Sequence, residues 1–569
     1  MKALFSWFVA TPFLYYCLAL TSLCGFGLSA VIDSEGAPRK WKAEWLFLAL
    51  AGWAMLVWRW PTMLWPQPLN IDEGQWAASA LKATYDFAPW RGFDATTSGP
   101  LNCYVLALPA LFGAQITFFS SRLIAWGLIM SAIYALYFIA KWTHGAKIAR
   151  LSIVPPLAFL GLTPHWDFLH YSSEIFPIFL TTLGITAGVF LATHDRTNRA
   201  RLFSCAAGGL CLGSTGFAKL QALPIAMATL AFVVGIIFFA RPKSIKESLV
   251  EAIALLAAFA LVPAAIAISL WQTGAWDDAV ISYLKAAAVY VSSGSMVGLQ
   301  FFFGNTSSYA AFAVCSLFLI AGGTAALWGR WNFSRGSAIT SVCAVSFLLV
   351  CLLVILWPRR PYPHYLLFSV LPVSYCVATV LRYTREANLW KGRELILSSV
   401  IVVAFLLPAL GVSIANPSPF LGVVRDLLIM RPDPPSVSLL PLRRTAPQVE
   451  AIRRYAPPGT RVAIWGWMPH YYVQTQTIPA TRDTQSTHQI IPGPFQEYFR
   501  QRFLADLLLQ PPPLFVDAVA PVSYALDDRA TLGFETWPAL NAFIDENYLL
   551  KEDVEGVRFF VLKENKSSY

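Results

Sequence analysis

Residues 45–76 read WLFLALAGWAMLVWRWPTMLWPQPLNIDEGQW, an apolar run that leads into two adjacent acids, Asp72 and Glu73. The run is long enough to cross the hydrocarbon core of a bilayer, which takes roughly 20 residues. Carboxylates are costly in hydrocarbon, so those beside a span usually lie in a water-filled cavity or at its mouth, where they bind or react. The alternative is that they only complement the N-terminus of a helix.

The composition of the whole chain places it in the same class as this segment. Of its 569 residues 56% are hydrophobic, 14% are aromatic and only 13% are charged, which is far more apolar than a soluble domain. We therefore predict a polytopic α-helical membrane protein with about twelve transmembrane helices. The predicted spans begin near Phe5, Trp45, Arg122, Ala149, Glu174, Leu202, Leu223, Leu249, Ser308, Ala338, Tyr365 and Leu395.

Basic residues collect in every second loop between these spans, and such loops face the cytoplasm. The basic loops hold Arg39, Lys40, Lys42, Lys141, Lys147, Arg150, Arg196, Arg199, Arg201, Arg241, Lys243, Lys246, Arg330, Arg335, Arg382, Arg385, Lys391 and Arg393. The intervening loops, which include the acid pair, then share the opposite face with everything after about residue 416. The net charge of +10 is largely this loop signal and needs no nucleic-acid partner.

The first apolar run, residues 5–31, has two interpretations. It resembles a signal peptide in ending on small residues, but Lys2 alone supplies a basic segment before it, and the run is long for a signal sequence. We therefore predict a retained first helix with its N-terminus outside.

The composition changes near residue 416, where the chain becomes polar and proline-rich. Short apolar strands and amphipathic helices then alternate, which predicts a small α/β layer on the outer membrane face. The predicted domains are residues 1–415 and residues 416–569. The predicted strands are residues 461–467, 514–518 and 557–563, and the predicted helices are residues 446–455, 495–509 and 537–548.

A second functional signal is the stretch WPRRPYPHYLL, residues 357–367, which lies just outside a predicted span. Its adjacent Arg359 and Arg360 stand on the face that the loop-charge rule should deplete of cations. A guanidinium pair suits a phosphate or diphosphate, because arginine offers forked donors and stays charged. The alternative is contact with anionic lipid head groups or snorkelling at the interface.

Other polar residues of the outer loops have weaker signals. Lys219 occupies a very short hairpin, where a lysine either snorkels or reaches a phosphate. His165 and His170 flank Asp167 and could ligate a metal, but their spacing is a poor match to a helical ligand pair and no cysteine accompanies them. We predict that no cofactor is required, and a divalent metal remains an open alternative.

Several catalytic and structural motifs are missing from the sequence. It contains no nucleotide-binding glycine loop, no CxxC pair and no GxSxG elbow. All nine cysteines lie in or beside apolar segments, so no disulfide framework is indicated. Nucleotide-dependent and acyl-transfer chemistries therefore lose support.

The order of the remaining motifs resembles the GT-C glycosyltransferases. The acid pair after an early span is followed by TTSGPLNCYVLALPALFG at residues 96–113, by Arg122, by Glu174 at the start of a later span, by Lys219 and by a PHY motif at residues 363–365. RVAIWGWMPHYYVQTQTIPATR at residues 461–482 extends the similarity to the C-terminal region. The bacterial protein O-mannosyltransferase and aminoarabinose transferase superfamily, which uses polyprenyl-phosphate sugars, is the most similar group.

The resemblance assigns roles to residues of this sequence. It implies that Asp72 is the catalytic base with Glu73 as its neighbour. It implies that Glu174 helps to shape the donor or acceptor site, although the family more often has aspartate there. The donor phosphate would be bound by Arg359, Arg360, His364 and Lys219, with Arg122 either joining them or organising the outer loop. Substrate contacts are expected from Asp167 and His170, and Tyr365 would line the entry of the lipid.

These roles describe an inverting glycosyltransferase that moves a sugar from a polyprenyl-phosphate donor to a hydroxyl acceptor. Retention would call for a second carboxylate acting as nucleophile. The expected acceptor is a lipid or an envelope glycan rather than a protein. The expected location is the inner membrane of a bacterium, with the active site and the C-terminal domain in the periplasm.

Three alternatives remain open at this stage. A lipid-diphosphate glycan ligase or oligosaccharyltransferase would use related chemistry. A transporter or flippase for a lipid-linked sugar predicts polar groups near the midplane and internal repeats. An inert scaffold would leave the acid pair and the arginine pair unexplained.

Two further segments receive structural predictions. Residues 99–118 are apolar but lack a cytoplasmic cation cluster after them, which predicts an interfacial helix rather than a span. Residues 271–307 are expected to form a loop that covers the cavity and becomes ordered when the donor binds.

Overall fold

The computed structural model describes residues 12–31, 40–163, 166–194, 197–239, 244–304, 321, 335–386 and 446–563. His165 and the predicted spans that begin near Ser308 and Leu395 lie outside these residues.

Helices dominate the described chain, and several of them are long and apolar. The helices up to residue 304 are α1 (Pro12–Val31), α2 (Lys40–Leu64), α3 (Ile71–Tyr85), α4 (Pro100–Leu111), α5 (Phe118–His144), α6 (Ala146–Leu162), α7 (Ile175–Thr193), α8 (Asn198–Ala218), α9 (Leu223–Phe239), α10 (Ile245–Thr273), α11 (Trp276–Ala279), α12 (Ala286–Ser292) and α13 (Met296–Gly304). The later helices are α14 (Arg335–Leu356), α15 (Val370–Glu386), α16 (Pro447–Tyr455), α17 (His470–Thr475), α18 (Thr487–Ile490), α19 (Gln496–Leu509), α20 (Arg529–Leu532) and α21 (Pro538–Asn547).

Within the described residues, four helices are long and apolar enough to cross a membrane. They are Phe118–His144, Ile175–Thr193, Leu220–Phe239 and Ile245–Thr273. The number rises to six if each of two sharply bent helix pairs forms one span. These helices agree with a membrane protein, and the total of about twelve spans stays a prediction.

A five-stranded sheet follows in the C-terminal region, with strands β1 (Arg461–Trp465), β2 (Ile478–Pro479), β3 (Leu514–Asp517), β4 (Tyr548–Val554) and β5 (Val557–Leu562). Its order is β2-β1-β3-β5-β4, with β1 parallel to β2 and β3, and with β5 antiparallel to β3 and β4. The three predicted strands and the three predicted helices of this region are all present within two residues of their predicted ends. The sequence did not indicate β4, because YLLKEDV is an exposed strand rich in charge.

The described chain divides into two compact units that do not follow the order of the sequence. Unit 1 comprises residues 1–63, 125–265 and 290–441, and unit 2 comprises residues 64–124, 266–289 and 442–569. The segment that carries the acid pair therefore groups with the C-terminal sheet. The predicted boundary near residue 416 lies outside the described residues.

Unit 1 is helical, and α7 to α10 share an apolar core. Leu191, Cys205, Leu212, Leu230, Val233 and Leu255 are among its buried members. Arg201, which was predicted to face the cytoplasm, is also buried, and its Nε donates to Glu251 Oε1 at 2.7 Å, which fixes the start of α8 to α10. Glycines let these two helices approach closely, because a Cβ on Gly209 or Gly213 would meet the backbone of α10.

In unit 2 the acid-bearing helix α3 packs against the C-terminal region. Lys82 Nζ donates to the carbonyl of Pro479 at 2.9 Å, and Ser79 Oγ lies 3.2 Å from Thr484 Oγ1. In the same unit, the buried Arg502 contacts the carboxylates of Asp94 and Asp483. These contacts attach the segments after the acid pair to the sheet.

The segment predicted as a covering loop is instead largely helical. It consists of α11, a π-helical turn at Val280–Lys285, α12 and α13, and the chain bends by 80° between Trp276–Ser292 and Met296–Gly304. The sequence pattern was misjudged because its charged residues are concentrated at Asp277, Asp278 and Lys285 in otherwise apolar helices. The segment predicted as an interfacial helix contains α4, whose twelve residues are too few to form a span, and its place at a membrane interface stays a prediction.

Replacing Gly213 by alanine should loosen the contact between α8 and α10. The new Cβ would lie 2.0 Å from the carbonyl oxygen of Phe259, so backbone must move. We expect a loss of about 1–3 kcal/mol, the usual range for overpacking, measured as a lower midpoint of thermal unfolding in detergent micelles. Gly235→Ala in α9 is the matched control, because its Cβ would meet no atom within 4 Å. Equal midpoints for the two variants would contradict the packing argument.

Candidate functional site

The acid pair lies in the first turn of α3 in unit 2. Asn70 caps this helix, with its Oδ1 accepting the backbone N–H of Asp72 at 3.0 Å. Both acids therefore complement the N-terminus of the helix, as the alternative interpretation required. Their side chains differ in environment, because Asp72 is half-buried and Glu73 is only 1% exposed.

Glu73 is occupied by Arg122 of the same unit. The guanidinium donates from Nε to Oε1 at 2.7 Å and from Nη2 to Oε2 at 2.6 Å, and Arg122 is 1% exposed. Arg122 also donates to the carbonyls of Trp65 and Gln67, while Oε2 of Glu73 accepts the N–H of Leu69. Arg122 thus organises the segment that leads into α3, which is one of its two predicted roles.

A second cluster of charged side chains is buried in unit 1, and all five of its members were predicted as site residues. The structure brings together Asp167, His170, Glu174, Lys219 and His364, none of which is more than 7% exposed. Asp167 lies in a 3-10 turn at Trp166–Phe168, and His364 lies in another at Pro363–Ser369. Glu174 and Lys219 occupy the N-cap of α7 and the C-cap of α8, so both project from helix ends.

Glu174 and Lys219 form a buried ion pair. Lys219 Nζ contacts Glu174 Oε1 directly and donates to Ser173 Oγ at 2.7 Å. The Ser172 hydroxyl donates to the other carboxylate oxygen of Glu174. Lys219 also lies 5.3 Å from the centre of the Tyr365 ring. Lys219 therefore points into the cluster, which disagrees with the snorkelling alternative.

Asp167 lies between two imidazoles. Its Oδ1 is 3.9 Å from His170 Nε2, and its Oδ2 is 3.5 Å from His364 Nδ1. Burial opposes ionisation of this carboxyl group, but the two histidines outweigh burial and hold the pKa of Asp167 below its usual range. Asp167 is therefore a carboxylate at neutral pH.

The arginine pair divides between two environments. Arg360 Nη2 donates to the carbonyl of Tyr290 at 2.7 Å and to Ser293 Oγ at 2.5 Å, and the guanidinium lies 4.3 Å from the Tyr290 ring centre. Arg359 is exposed and has a backbone φ of +50°, which is uncommon for a residue other than glycine. The buried Tyr365 lies with its hydroxyl 3.2 Å from that of Tyr290. Arg360 thus orders residues 290–293, and Arg359 faces outward.

One residue beside the cluster escaped prediction. Arg59 lies in α2, inside the apolar run that precedes the acid pair, is 2% exposed, and donates from Nη2 to the carbonyl of Phe168. It holds the turn that carries Asp167 against α2. An arginine within a predicted span is itself a functional signal, so the sequence contained the clue.

Comparison with known proteins identifies the fold. No family model matches the chain, and no curated protein matches it. The crystal structure of ArnT from Cupriavidus metallidurans bound to undecaprenyl phosphate is similar, with a TM-score of 0.54, 14% identity, and coverage of 92% of this chain and 98% of that one. Its apo form gives a TM-score of 0.53 at 15% identity, with the same coverage of both chains.

A weaker similarity is found to the archaeal oligosaccharyltransferase AglB from Archaeoglobus fulgidus in complex with an inhibitory peptide and a dolichol-phosphate. It has a TM-score of 0.45 at 13% identity and covers 94% of this chain and 75% of that one. The similarity to ArnT shows that the chain has the GT-C fold, which confirms the fold predicted by resemblance.

The ion pair between Glu174 and Lys219 should stabilise unit 1, and losing one partner should cost more free energy of unfolding than the pair contributes. Glu174→Gln would leave the buried Lys219 ammonium without its counter-charge, and Lys219→Met would leave the carboxylate. Each single change should destabilise unit 1 by about 3–5 kcal/mol, and the double variant by clearly less than the sum. Thermal unfolding in detergent micelles measures this cycle.

Lys246→Met is the matched control for the lysine, because Lys246 is exposed near the start of α10. It should change stability by less than about 0.5 kcal/mol. Strictly additive effects of Glu174→Gln and Lys219→Met would show that the two side chains do not interact.

Proposed function

We propose that this chain is a membrane glycosyltransferase that transfers a sugar from a polyprenyl-phosphate donor to a hydroxyl acceptor with inversion at C1. One observation carries the proposal beyond the fold. Of the two acids that open α3, Glu73 is buried and held by Arg122, whereas Asp72 is half-buried beside it. This arrangement leaves a rigidly placed aspartate with a side chain that reaches solvent.

Asp72 is then the general base. The acceptor oxygen attacks C1 of the sugar on the face opposite the phosphate, and its proton passes to the Asp72 carboxylate. The bond between C1 and the phosphate oxygen breaks, and its electron pair leaves with the phosphate. A single displacement of this kind inverts C1 and needs no second carboxylate as nucleophile.

The leaving phosphate needs cationic and hydrogen-bonding partners, because charge develops on it as the bond breaks. We assign this role first to Arg359, which is exposed. Arg360, Lys219 and His364 complete the proposed donor site, although Lys219 is already paired with Glu174. Glu174, Asp167, His170 and Tyr365 are assigned to the surroundings of the donor.

Arg122 receives a different role in this proposal. Its guanidinium donates four hydrogen bonds, to Glu73 and to the two carbonyls before α3, so it positions the base and does not bind phosphate. ArnT, which has the same fold, binds undecaprenyl phosphate, and this supports a polyprenyl-phosphate donor here. The proposed location is the inner membrane of a bacterium, with the reaction and the C-terminal sheet on the periplasmic face and a lipid or envelope glycan as acceptor.

Asp72→Asn should lower turnover by about 100- to 10,000-fold, the contribution of a general base. Donor binding and thermal stability should stay unchanged, because asparagine is nearly isosteric. Native mass spectrometry of the purified protein measures the outcome, through a co-purified polyprenyl-phosphate sugar that wild type consumes when acceptor lipids are added and the variant retains. Full turnover by Asp72→Asn would reject the mechanism.

Two variants separate chemistry from positioning. Arg122→Lys cannot make the forked contact with Glu73, so it should lower both turnover and thermal stability. Asp527→Asn changes an exposed aspartate of the C-terminal region and should alter neither turnover nor thermal stability.

The native mass spectra also distinguish the alternative functions. A bound diphosphate-linked glycan would indicate a ligase, and movement of an unaltered lipid-linked sugar across liposomes would indicate a flippase.

Arg359→Gln should weaken binding of the donor by about tenfold or more, because a charge-assisted contact to phosphate is lost. The measurement is titration of a polyprenyl-phosphate sugar against the protein in nanodiscs. Arg385→Gln is the control, since Arg385 is an exposed arginine at the end of α15 in a loop predicted to be cytoplasmic. Equal donor affinity for the two variants would show that Arg359 does not bind the donor phosphate.

A further inference from the structure

Asp167, His170 and His364 gather three potential metal-ligating atoms in one buried place. One carboxylate oxygen and two imidazole nitrogens all lie within 4.8 Å of one another. The three residues are 1%, 1% and 5% exposed, so their polar atoms have little access to water. A cluster of this kind in unit 1 is either a network of hydrogen bonds or a site for a cation.

Hydrogen bonding alone does not account for the two histidines. His170 Nε2 and His364 Nδ1 are buried and have no hydrogen-bond partner. Their distances to Asp167, 3.9 Å and 3.5 Å, are longer than hydrogen bonds between such atoms. Buried polar atoms without partners are rare in folded proteins, and each one calls for an explanation.

The tautomer of His170 is set by the backbone. Its Nδ1 lies 2.8 Å from the carbonyl oxygen of Tyr171, and because that oxygen can only accept, Nδ1 must carry the proton. A neutral His170 therefore presents the lone pair of Nε2 toward Asp167. Metal-ligating histidines are commonly oriented in this way, with one nitrogen donating to a carbonyl and the other bound to the metal.

We propose that Asp167, His170 and His364 form a binding site for a divalent transition-metal cation, with Zn²⁺ as the ion that fits best. Two imidazoles with one carboxylate are a common zinc ligand set, with a fourth position for water or substrate. Mg²⁺ and Ca²⁺ prefer oxygen ligands and fit this set poorly.

The spacing agrees with the size of the ion. Zinc–ligand distances of about 2.0–2.2 Å place two ligands of a tetrahedral ion roughly 3.3 Å apart. The shortest distances from the two imidazoles to Asp167 are 3.9 Å to Oδ1 and 3.5 Å to Oδ2, and one ligand atom from each of the three residues lies within 4.8 Å of the others. The side chains would have to close in by about 1 Å to complete the coordination.

The local charge also favours a cation. Glu174 pairs with Lys219, which leaves Asp167 as the carboxylate that faces the two imidazoles. His364 Nε2 lies 3.9 Å from Glu174 Oε1, which places a carboxylate next to the outer face of this ligand. The inference goes beyond the proposed function and does not rest on it, because metal binding is measured without substrate.

The test uses the full chain without a histidine tag, purified in detergent micelles and stripped of metal with a chelator. Titration with ZnCl₂ alone, followed by gel filtration and elemental analysis, should give one Zn²⁺ per chain. His170→Gln and His364→Gln should each weaken Zn²⁺ binding by at least about tenfold. His194→Gln, which changes a histidine at the other end of α7, should bind as wild type does.

X-ray absorption spectroscopy of the zinc-loaded wild-type protein identifies the ligand atoms without relying on any variant. The expected shell has two imidazole nitrogens and oxygen ligands at about 2.0–2.2 Å. Sulfur ligands, a shell without histidine, or a folded wild-type protein that holds no stoichiometric Zn²⁺ would overturn the proposal. Equal Zn²⁺ affinity of wild type and both ligand variants would overturn it as well.

Discussion

The need to compensate buried charge determines how the polar residues of this protein can act. A charged group removed from water is expensive unless an opposite charge and hydrogen bonds receive it. Glu73 is therefore held by Arg122, Glu174 by Lys219, and Arg201 by Glu251. Each pair fixes two elements of its unit in one geometry, and its members are thereby less available for chemistry.

This constraint gives the two acids of the opening motif different tasks. Glu73 supplies rigidity, because both of its oxygens accept from Arg122, which also holds the carbonyls of Trp65 and Gln67 before α3. Asp72 precedes it by one residue and so lies on another side of α3. In the proposed mechanism, the structural carboxylate of Glu73 positions its neighbour Asp72 at the start of α3.

Sequence patterns predicted those parts of the fold whose signals are local. The strands at residues 461–465, 514–517 and 557–562 were found because apolar β-forming residues stand between helices and turns. Strand β4 was missed because it is exposed, and exposed strands need little hydrophobic alternation. Residues 271–307 were predicted to be a loop because the charges at Asp277, Asp278 and Lys285 interrupt an otherwise apolar helical pattern.

The sequence by itself determined that this is an apolar, polytopic membrane chain with the GT-C order of motifs, and it identified Asp72, Glu174, Lys219 and the arginine pair as candidates. These conclusions follow from composition and from short motifs, which are readable without knowledge of packing. Only the tertiary structure decided which of them meet. The partners of Glu73 and Glu174 are 49 and 45 residues away, and His364 reaches Asp167 from a distant part of the chain. Such pairings depend on how helices pack and where their ends lie, and no local pattern records them.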